Sequence, residues 1–229
     1  PSPITISTNT ACGVILANYT SLAVLDNCLF NAAVTQSPVP GTAIYGLGTS
    51  TITLTATNSL AMRTCTFNLV RIDAIAPILV CPANRTVNLN VYCQAPLANY
   101  TSLSTVSDNC TYSYDIIRTQ SPTSGTVVTG VGTSVVTLTA TDFSGNSSTC
   151  NFTVTRSDVI IPNIICPQPQ PQILELDASC QAALPNYAAA TYVSDNCTPQ
   201  PAIGLTQTPS PGTTMIGIGS STVTMRATD

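Results

Sequence analysis

The chain has 229 residues, of which 44% are hydrophobic, and its ten acids and six Arg give a net charge of −4 without any Lys or His. A chain without His or Lys lacks two of the common general bases, and its negative charge offers no basic surface to a nucleic-acid backbone. Ten Cys indicate disulfides and an oxidising compartment, and no apolar run reaches the roughly 18 residues of a membrane-spanning helix. We therefore expect an extracellular or cell-surface protein that is not an enzyme and has no cofactor and no nucleic-acid partner.

The first predicted strand lies close to the start of the chain, where Ile4 and Ile6 alternate with Thr5 and Ser7. Such alternation is typical of a strand, because successive side chains point to opposite faces. The later landmarks of this first segment are, in chain order, Cys12, Leu-Ala-Asn-Tyr-Thr at 16–20, Asp-Asn-Cys at 26–28, Thr-Gln-Ser-Pro at 35–38, Gly-Thr at 41–42, a Gly-rich strand at 46–58, Cys-Thr-Phe-Asn-Leu-Val at 65–70 and a linker at 71–77.

The Gly-rich strand occurs three times, at residues 46–58, 130–142 and 217–229. In the middle copy Val136, Leu138 and Ala140 fall on one face, while the other face carries mainly Thr. This pattern predicts a strand with one buried face and a Thr-lined face towards water.

The other landmarks recur with the same period. The cysteine of the Asp-Asn-Cys motif returns at Cys28, Cys110 and Cys197, and an earlier cysteine returns at Cys12, Cys93 and Cys180. A repeat of about 85 residues is long enough for a core of its own, so we predict three domains in series, at 1–75, 76–160 and 161–229. The first lacks its leading Cys and the third lacks its final strand.

No segment has a long helical periodicity, and turn signals recur about every ten residues. The predicted fold is therefore all-β: three tandem immunoglobulin-like β-sandwich domains stapled by disulfides, the first and last incomplete at the chain ends.

The series Asp-Asn-Cys, Thr-Gln-x-Pro, Gly-Thr, Gly-x-Gly-Thr-x-x-Val-Thr-x-Thr-Ala-Thr-Asp, x-x-Gly-Asn and Cys-x-Phe-x-Val resembles the hyalin repeat (HYR) family. The opening Pro-x-Ile-x-Cys-Pro at 162–167 is similar as well. The resemblance implies an extracellular immunoglobulin-like sandwich, found in adhesive and matrix proteins of animals and in bacterial surface proteins, with no catalytic residues. The first repeat departs from the pattern at Asn58 and at residues 60–62.

All ten cysteines are disulfide candidates. Proximity in sequence predicts the pairs Cys12–Cys28, Cys93–Cys110 and Cys180–Cys197. Two schemes remain for the other four: bonds across the linkers, Cys65–Cys81 and Cys150–Cys166, or a bond within the middle repeat, Cys81–Cys150, which leaves Cys65 and Cys166 without partners in this chain. Strand geometry favours the second scheme, since parallel first and last strands would begin at the same end of a sandwich, whereas Cys65 lies a whole strand before its linker.

The acidic residues recur with the repeats, which is typical of residues that shape a module rather than of an active site. Asp108-Asn109 is expected to hold a turn through side-chain hydrogen bonds. Each linker carries one Asp, Asp73 or Asp158, and the second also has Glu175 and Asp177 nearby. Because calcium takes six to eight oxygen ligands, this set predicts no metal site and a linker Asp that caps or solvates a turn.

Seven Asn lie in Asn-x-Ser/Thr triplets, and Asn109 and Asn196 are poor glycosylation candidates because each precedes a disulfide Cys. The remaining candidates are Asn151, Asn146, Asn18, Asn99 and Asn84, with O-linked sugars on the Thr and Ser rows as an alternative.

The sequence thus predicts a structural, adhesive subunit of an extracellular fibre, filament or cell-surface stalk, assembled head to tail with copies of itself or with further repeats. The third repeat is expected to receive its last strand from outside residues 1–229, either from a longer array or from a neighbouring subunit. The alternative is an adhesin module that binds a glycan or protein through loops, since Tyr112, Tyr114, Asp115 and Arg118 form the only non-repeating aromatic and charged cluster.

Overall fold

The computed structural model describes residues 2–23 and 32–229, and the statements below refer to that part of the chain. The protein is all-β, with short 3-10 turns between strands. It forms two compact units, Pro1–Ala83 with Asn99–Ser124 and Val136–Phe152, and Asn84–Ala98 with Gly125–Val135 and Thr153–Asp229. Because the boundary runs through the middle repeat, the division into three domains stays a prediction.

The strands follow the repeats of the sequence. The first repeat contains β1 (Ile4–Ser7), β2 (Gly13–Ile15), β3 (Ala33–Ser37), β4 (Ala43–Tyr45), β5 (Gly48–Thr57) and β6 (Met62–Ile72). The second contains β7 (Ile78–Val80), β8 (Arg85–Asn88), β9 (Gln94–Pro96), β10 (Thr105–Ser107), β11 (Ile117–Ser121), β12 (Val127–Thr129), β13 (Gly132–Thr141) and β14 (Ser147–Ser157). The third contains β15 (Asn163–Ile165), β16 (Gln181–Ala183), β17 (Tyr192–Ser194), β18 (Gly204–Thr208), β19 (Thr214–Ile216) and β20 (Thr224–Thr228).

In the first repeat a four-stranded sheet has the order β1-β6-β5-β3, and β2 pairs with β4. β5 and β6 form an antiparallel hairpin, and β1 runs parallel to β6. The core consists of Leu16, Ile52, Leu54, Phe67 and Leu69, with Ile44 and Tyr19 packed against it. This is the predicted immunoglobulin-like sandwich, because apolar side chains of the sheet and of the β2–β4 pair meet in one core.

The predicted alternation of the Gly-rich strand is confirmed in the first two repeats. Ile52 and Leu54 in β5 are 0% and 2% exposed, and Val136 and Leu138 in β13 are 0% and 1% exposed. In contrast, Val135 on the opposite face of β13 is 61% exposed.

The recurring Gln of the Thr-Gln-x-Pro motif fastens the edge of this sheet to a neighbouring loop. Gln36 is buried, its Oε1 accepts the Tyr19 N–H at 2.7 Å, and its Nε2 donates to the carbonyls of Ala17 and Pro38 at 3.1 Å each. Gln120 and Gln207 accept the equivalent Tyr N–H groups at 2.8 Å each. A buried side chain that satisfies several backbone groups explains why this position keeps the same residue in every copy.

In the rest of the first unit, β10 pairs antiparallel with β7 so that Ser107 lies opposite Ile78. The Asp-Asn-Cys loop that follows β10 is thereby held beside the linker that precedes β7.

The second unit shows the same relationship, since β17 pairs with β15 and places Ser194 opposite Asn163. In that unit β8 runs parallel to β14, with Asn88 opposite Ser157, so the turn after β8 lies beside the chain that leaves β14 for the next linker.

Candidate functional site

The turn that carries Cys12, Cys93 and Cys180 has one conformation in all three repeats. These cysteines have φ values of 52°, 56° and 55° and are the non-glycine residues with positive φ in the described chain. The Asn9 side chain fixes the first turn by accepting the N–H groups of Ala11 and Gly13 at 2.9 and 3.1 Å, and Asn90 and Asp177 do the same in the other two. A left-handed residue other than glycine is unfavourable, so this turn is held by its surroundings.

Two disulfides join consecutive repeats. Cys12 bonds to Cys110 across a sequence separation of 98, and Cys93 bonds to Cys197 across 104. Each bond connects the cysteine turn of one repeat to the Asp-Asn-Cys loop of the next, and we call these bonds the linker staples.

The predicted pairs Cys12–Cys28, Cys93–Cys110 and Cys180–Cys197 are therefore wrong, although Cys28 itself lies outside the described residues. Strand register explains the error. The Asp-Asn-Cys loop lies beside the linker that enters its repeat, whereas the cysteine turn follows β8 beside the linker that leaves. Each cysteine thus meets the neighbouring repeat, and closeness in sequence is a poor guide to its partner.

The third disulfide is Cys81–Cys150, with Cα atoms 5.7 Å apart, and it confirms the predicted bond within the middle repeat. Cys65, Cys166 and Cys180 are exposed and unpaired in the described part of the protein. The bonds Cys65–Cys81 and Cys150–Cys166 are excluded by this pairing.

A cluster of carboxylates lies next to the first staple. Asp73 from the linker, Asp108 from the Asp-Asn-Cys loop and Asp142 from the end of β13 each bring one oxygen to within 4.8 Å of the others. We call this set acidic cluster 1. Asp73 and Asp142 are only 6% and 4% exposed.

Each acid of cluster 1 accepts hydrogen bonds from nearby backbone N–H groups. Asp73 Oδ1 accepts the Ile75 N–H at 3.1 Å, which confirms that the linker Asp caps a turn. Asp108 Oδ2 accepts the N–H groups of Cys110 and Thr111 at 2.9 Å each, as the sequence predicted for this loop. Asp142 accepts from the backbone and side chain of Asn146 at 2.8 Å each.

Two further atoms of the cluster are buried and have no hydrogen-bond partner, Asp73 Oδ2 and Asp108 Oδ1. The adjacent amide oxygen, Asn109 Oδ1, is also buried without a partner, while Asn109 Nδ2 donates to Asp73 Oδ1 at 3.2 Å. Buried polar atoms are nearly always satisfied, so an unsatisfied group of acceptors requires an explanation.

The second unit has an equivalent but less buried arrangement, in which Asp229 is exposed. Asp158, Asp195 and Asp229 bring their oxygens to within 4.8 Å of one another and form acidic cluster 2. Asp158 Oδ2, Asp195 Oδ1 and Asn196 Oδ1 are again buried without partners. Burial has the largest effect on the pKa of Asp195 and raises it, but hydrogen bonds from Thr198, Cys197 and Asn196 and the interaction with Asp158 together hold that pKa below its ordinary value.

Of the acids near the linkers, Asp73 and Asp158 lie in the clusters, whereas Glu175 and Asp177 do not. Glu175 is exposed, and Asp177 caps its own cysteine turn by accepting the N–H groups of Ser179 and Gln181 at 2.8 and 3.0 Å. The linker Asp instead meets acids of the following repeat, which come from loops far away in sequence. The signal that could have revealed them is the recurrence of three Asp with the same period as the linkers.

The glycosylation candidates differ in their surroundings. Asn18, Asn84, Asn99 and Asn151 are exposed. Asn146 is not free for a sugar, because its Nδ2 donates to Asp142 Oδ2 and to the carbonyls of Asp73 and Ile75 at 2.8, 3.2 and 3.4 Å. Asn146 therefore positions the linker beside acidic cluster 1.

The non-repeating aromatic cluster is on the surface. The rings of Tyr112 and Tyr114 stack at 5.3 Å with an interplanar angle of 5°, and they are 69% and 77% exposed. Asp115 is exposed, whereas Arg118 points its Nη1 towards the carbonyls of Thr101 and Ser104 at 3.4 and 3.3 Å. The structure thus leaves the two Tyr rings available and takes Arg118 into the fold.

Comparison with known proteins agrees with the repeat pattern. Residues 72–156 match the family model of the HYR domain. A comparison with curated protein sequences found no match. The disulfides and the match of residues 72–156 to the HYR model indicate that the protein is extracellular. No helix in the described residues has the length and apolarity to cross a membrane.

The chain also aligns at low identity with several solved structures. The chain aligns over 99% of its length with protocadherin gamma B7 cadherin domains 1–4 at 16% identity and a TM-score of 0.32, and it spans 65% of that fragment. It aligns over 96% with human CDH23 EC21-23 at 13% identity and a TM-score of 0.36, covering 89% of that chain. With the N-terminal eight Ig domains of Down Syndrome Cell Adhesion Molecule it shares 11% identity over 86% of its length, at a TM-score of 0.28 and 29% of that chain.

Proposed function

We propose, from the premise that residues 72–156 form a HYR domain, that this protein is a structural and adhesive repeat subunit of an extracellular fibre or cell-surface stalk. In this proposal the repeats continue head to tail, and their junctions are covalent. The observation that carries the proposal is the linker staple, because a bond from each repeat to the next resists separation of the array.

Cys180 supports continuation of the array beyond the third repeat. Its φ of 55° and its Asp177 cap reproduce the conformation of Cys12 and Cys93, both of which bond to an Asp-Asn-Cys cysteine. Cys180 is exposed and has no partner among the described residues. We infer that it bonds to the Asp-Asn-Cys cysteine of a further repeat, in a longer array or in a second copy of this chain.

The free edge of β20 also supports a further repeat or a second subunit next to the third repeat. In the first repeat β5 pairs with both β3 and β6, whereas β20 pairs with β18 alone among the described strands. Val223 and Met225, which correspond to Ile52 and Leu54, are only half-buried and line an open groove. An unpaired edge with an apolar face is a template for an added strand, so we infer that a strand from a further repeat or a neighbouring subunit covers it.

The proposal is tested on native material by non-reducing electrophoresis and electron microscopy. We expect disulfide-linked species or long filaments in which peptide mapping finds Cys180 bonded to an Asp-Asn-Cys cysteine. Cys180→Ser should remove that link, while Cys65→Ser, at another exposed cysteine, should leave it in place. Native protein with a free Cys180 thiol and no filaments would contradict the proposal.

A second function is favoured by the stacked Tyr112–Tyr114 pair. Two exposed aromatic rings in one repeat provide an apolar platform with polar hydroxyl edges, which suits a sugar ring or a protein side chain. Screening of the intact chain against immobilised glycans tests this function. Binding that is lost in Tyr112→Ala and Tyr114→Ala, but kept in Tyr92→Ala at another exposed Tyr, would support it.

A further inference from the structure

We propose that acidic cluster 1 and acidic cluster 2 are calcium-binding sites, one at each linker. The carboxylates of Asp73, Asp108 and Asp142 would bind the first Ca²⁺, and those of Asp158, Asp195 and Asp229 the second. This inference concerns the linkers themselves and does not depend on assembly into a fibre.

The two acidic clusters concentrate negative charge at the linkers. The chain has ten acids, and six of them form the two clusters. Three carboxylates within 4.8 Å repel one another, and in the described chain no Arg forms an ion pair with them. Burial strengthens this repulsion, since Asp73 is 6% exposed and Asp142 is 4% exposed. A divalent cation would remove most of the repulsion.

Unpartnered oxygen atoms point to a ligand independently of the charge. Asp73 Oδ2 is buried without a donor, although Asp73 Oδ1 is capped by Ile75 N–H and held by Asn109 Nδ2. The same division holds for Asp108, whose Oδ2 accepts two N–H groups while Oδ1 has no partner. In Asp73 and Asp108 one oxygen thus fixes the orientation of the carboxylate, and the other is left for a ligand that is not a hydrogen-bond donor of the protein. Both oxygens of Asp142 accept from Asn146.

The chemistry of these atoms selects a hard cation. They are oxygens only, with no His or Cys among the groups that converge, which disfavours zinc and copper and suits calcium or magnesium. Calcium bonds of about 2.3–2.6 Å allow two ligands on opposite sides of the ion to be roughly 5 Å apart. The observed spacing, with all ligand atoms within 4.8 Å, falls inside that span.

Calcium is preferred over magnesium because the ligands are supplied by three separate loops. Calcium accepts irregular geometry with six to eight oxygens, whereas magnesium requires a near-ideal octahedron and keeps most of its water. The linker Asp and the Asp-Asn-Cys loop belong to consecutive repeats, so a bound ion would cross-link them beside the staple.

The test uses the intact, oxidised chain after removal of metal with EDTA. Titration with CaCl₂ in a calorimeter should give two bound ions per chain, with dissociation constants in the range of about 10⁻⁴–10⁻³ M typical of extracellular modules. MgCl₂ at the same concentrations should bind at least tenfold more weakly.

Variants separate the two sites. Asp73→Asn should reduce the stoichiometry from two to one, Asp158→Asn should do the same, and the double variant should bind none. The matched control is Asp177→Asn, since Asn9 and Asn90 occupy the same turn position in the other repeats. This control removes one negative charge outside both clusters and should retain two ions.

The sign of the stability change distinguishes a metal ligand from a merely structural acid. In EDTA, Asp73→Asn should unfold at the same temperature as the unmodified chain or at a higher one. The substitution removes the repulsion between this side chain and the carboxylates of Asp108 and Asp142, and its amide offers a hydrogen-bond donor to the unpartnered Asp108 Oδ1. In CaCl₂ it should unfold at a lower temperature than the unmodified chain. Absence of heat and of thermal stabilisation with CaCl₂, or equal destabilisation by Asp73→Asn in EDTA and in CaCl₂, would overturn the proposal.

Discussion

The Cα atoms of Cys12 and Cys110 lie 4.9 Å apart although 98 positions separate these residues in the sequence. The bond ties the cysteine turn of the first repeat to the Asp-Asn-Cys loop of the second. The equivalent bond between Cys93 and Cys197 spans 104 positions. Consecutive repeats are thus connected twice, through the chain and through a disulfide.

Removal of the first staple should lower stability strongly. In the chain-entropy model a bond that closes a loop of roughly 100 residues contributes about 4.7 kcal/mol. We expect the double variant Cys12→Ser/Cys110→Ser to shift the first denaturant transition of the oxidised chain to much lower denaturant concentration. The single variant Cys65→Ser is the control, since Cys65 is exposed and unpaired, and it should leave that transition unchanged. An unaltered transition in the double variant would show that the staple does not support the fold.

The buried Gln36 should be sensitive to an apolar replacement of similar size. Gln36→Leu leaves the Tyr19 N–H and the carbonyls of Ala17 and Pro38 without their partner, and each such loss costs about 1–3 kcal/mol. Equilibrium unfolding measures the change. The same substitution at the exposed Gln200 should stay within about 0.5 kcal/mol of the unmodified chain. Equal effects at both positions would mean that the Gln36 hydrogen bonds are unimportant.

Two glycines in the turns that open the Gly-rich strands should respond differently to substitution by Ala. Gly130 has a φ of +68° and open space where an added Cβ would lie, so Gly130→Ala suffers only from the left-handed backbone, at about 1–2 kcal/mol. Gly219 has no positive φ and also faces open space. Gly219→Ala should therefore be neutral or stabilise by up to about 1 kcal/mol. Thermal unfolding of the two variants side by side tests this, and a stabilised Gly130→Ala would contradict the assigned backbone.

Substitution by Ala at corresponding core positions of the first and third repeats should reduce stability by different amounts. Leu54 is 2% exposed in β5, which pairs with β6, and Leu54→Ala should cost about 2–5 kcal/mol. Met225 corresponds to it but is only half-buried beside the free edge of β20. Met225→Ala should cost clearly less in the isolated chain, and the difference should shrink in assembled material. Equal losses in the isolated chain would indicate that the face is already covered.

The sequence predicted the parts of the fold that depend on local pattern. Alternation identified the buried face of β13 through Val136 and Leu138, and the parallel first and last strands led to Cys81–Cys150. Turn chemistry likewise predicted that Asp108 caps its own loop. These features depend on neighbours in sequence or on one sandwich, so a single repeat contains the information.

Local sequence pattern could not predict the linker staples and the acidic clusters, because both depend on contacts between consecutive repeats. Cys93 and Cys110 are close in sequence, yet strand register places each of them at a different linker. Asp73 looked isolated for the same reason, since its companions follow it in the next repeat. An acid that recurs with the period of the linkers can shape its own repeat, but here it also marks a contact between consecutive repeats.

A non-reducing peptide map of the oxidised chain tests the linker staples most directly. Proteolysis at acidic pH, which prevents disulfide exchange, followed by mass spectrometry should recover Cys12 linked to Cys110, Cys93 linked to Cys197 and Cys81 linked to Cys150. Recovery of Cys93 linked to Cys110, or of Cys180 linked to Cys197, would contradict the stapling of consecutive repeats.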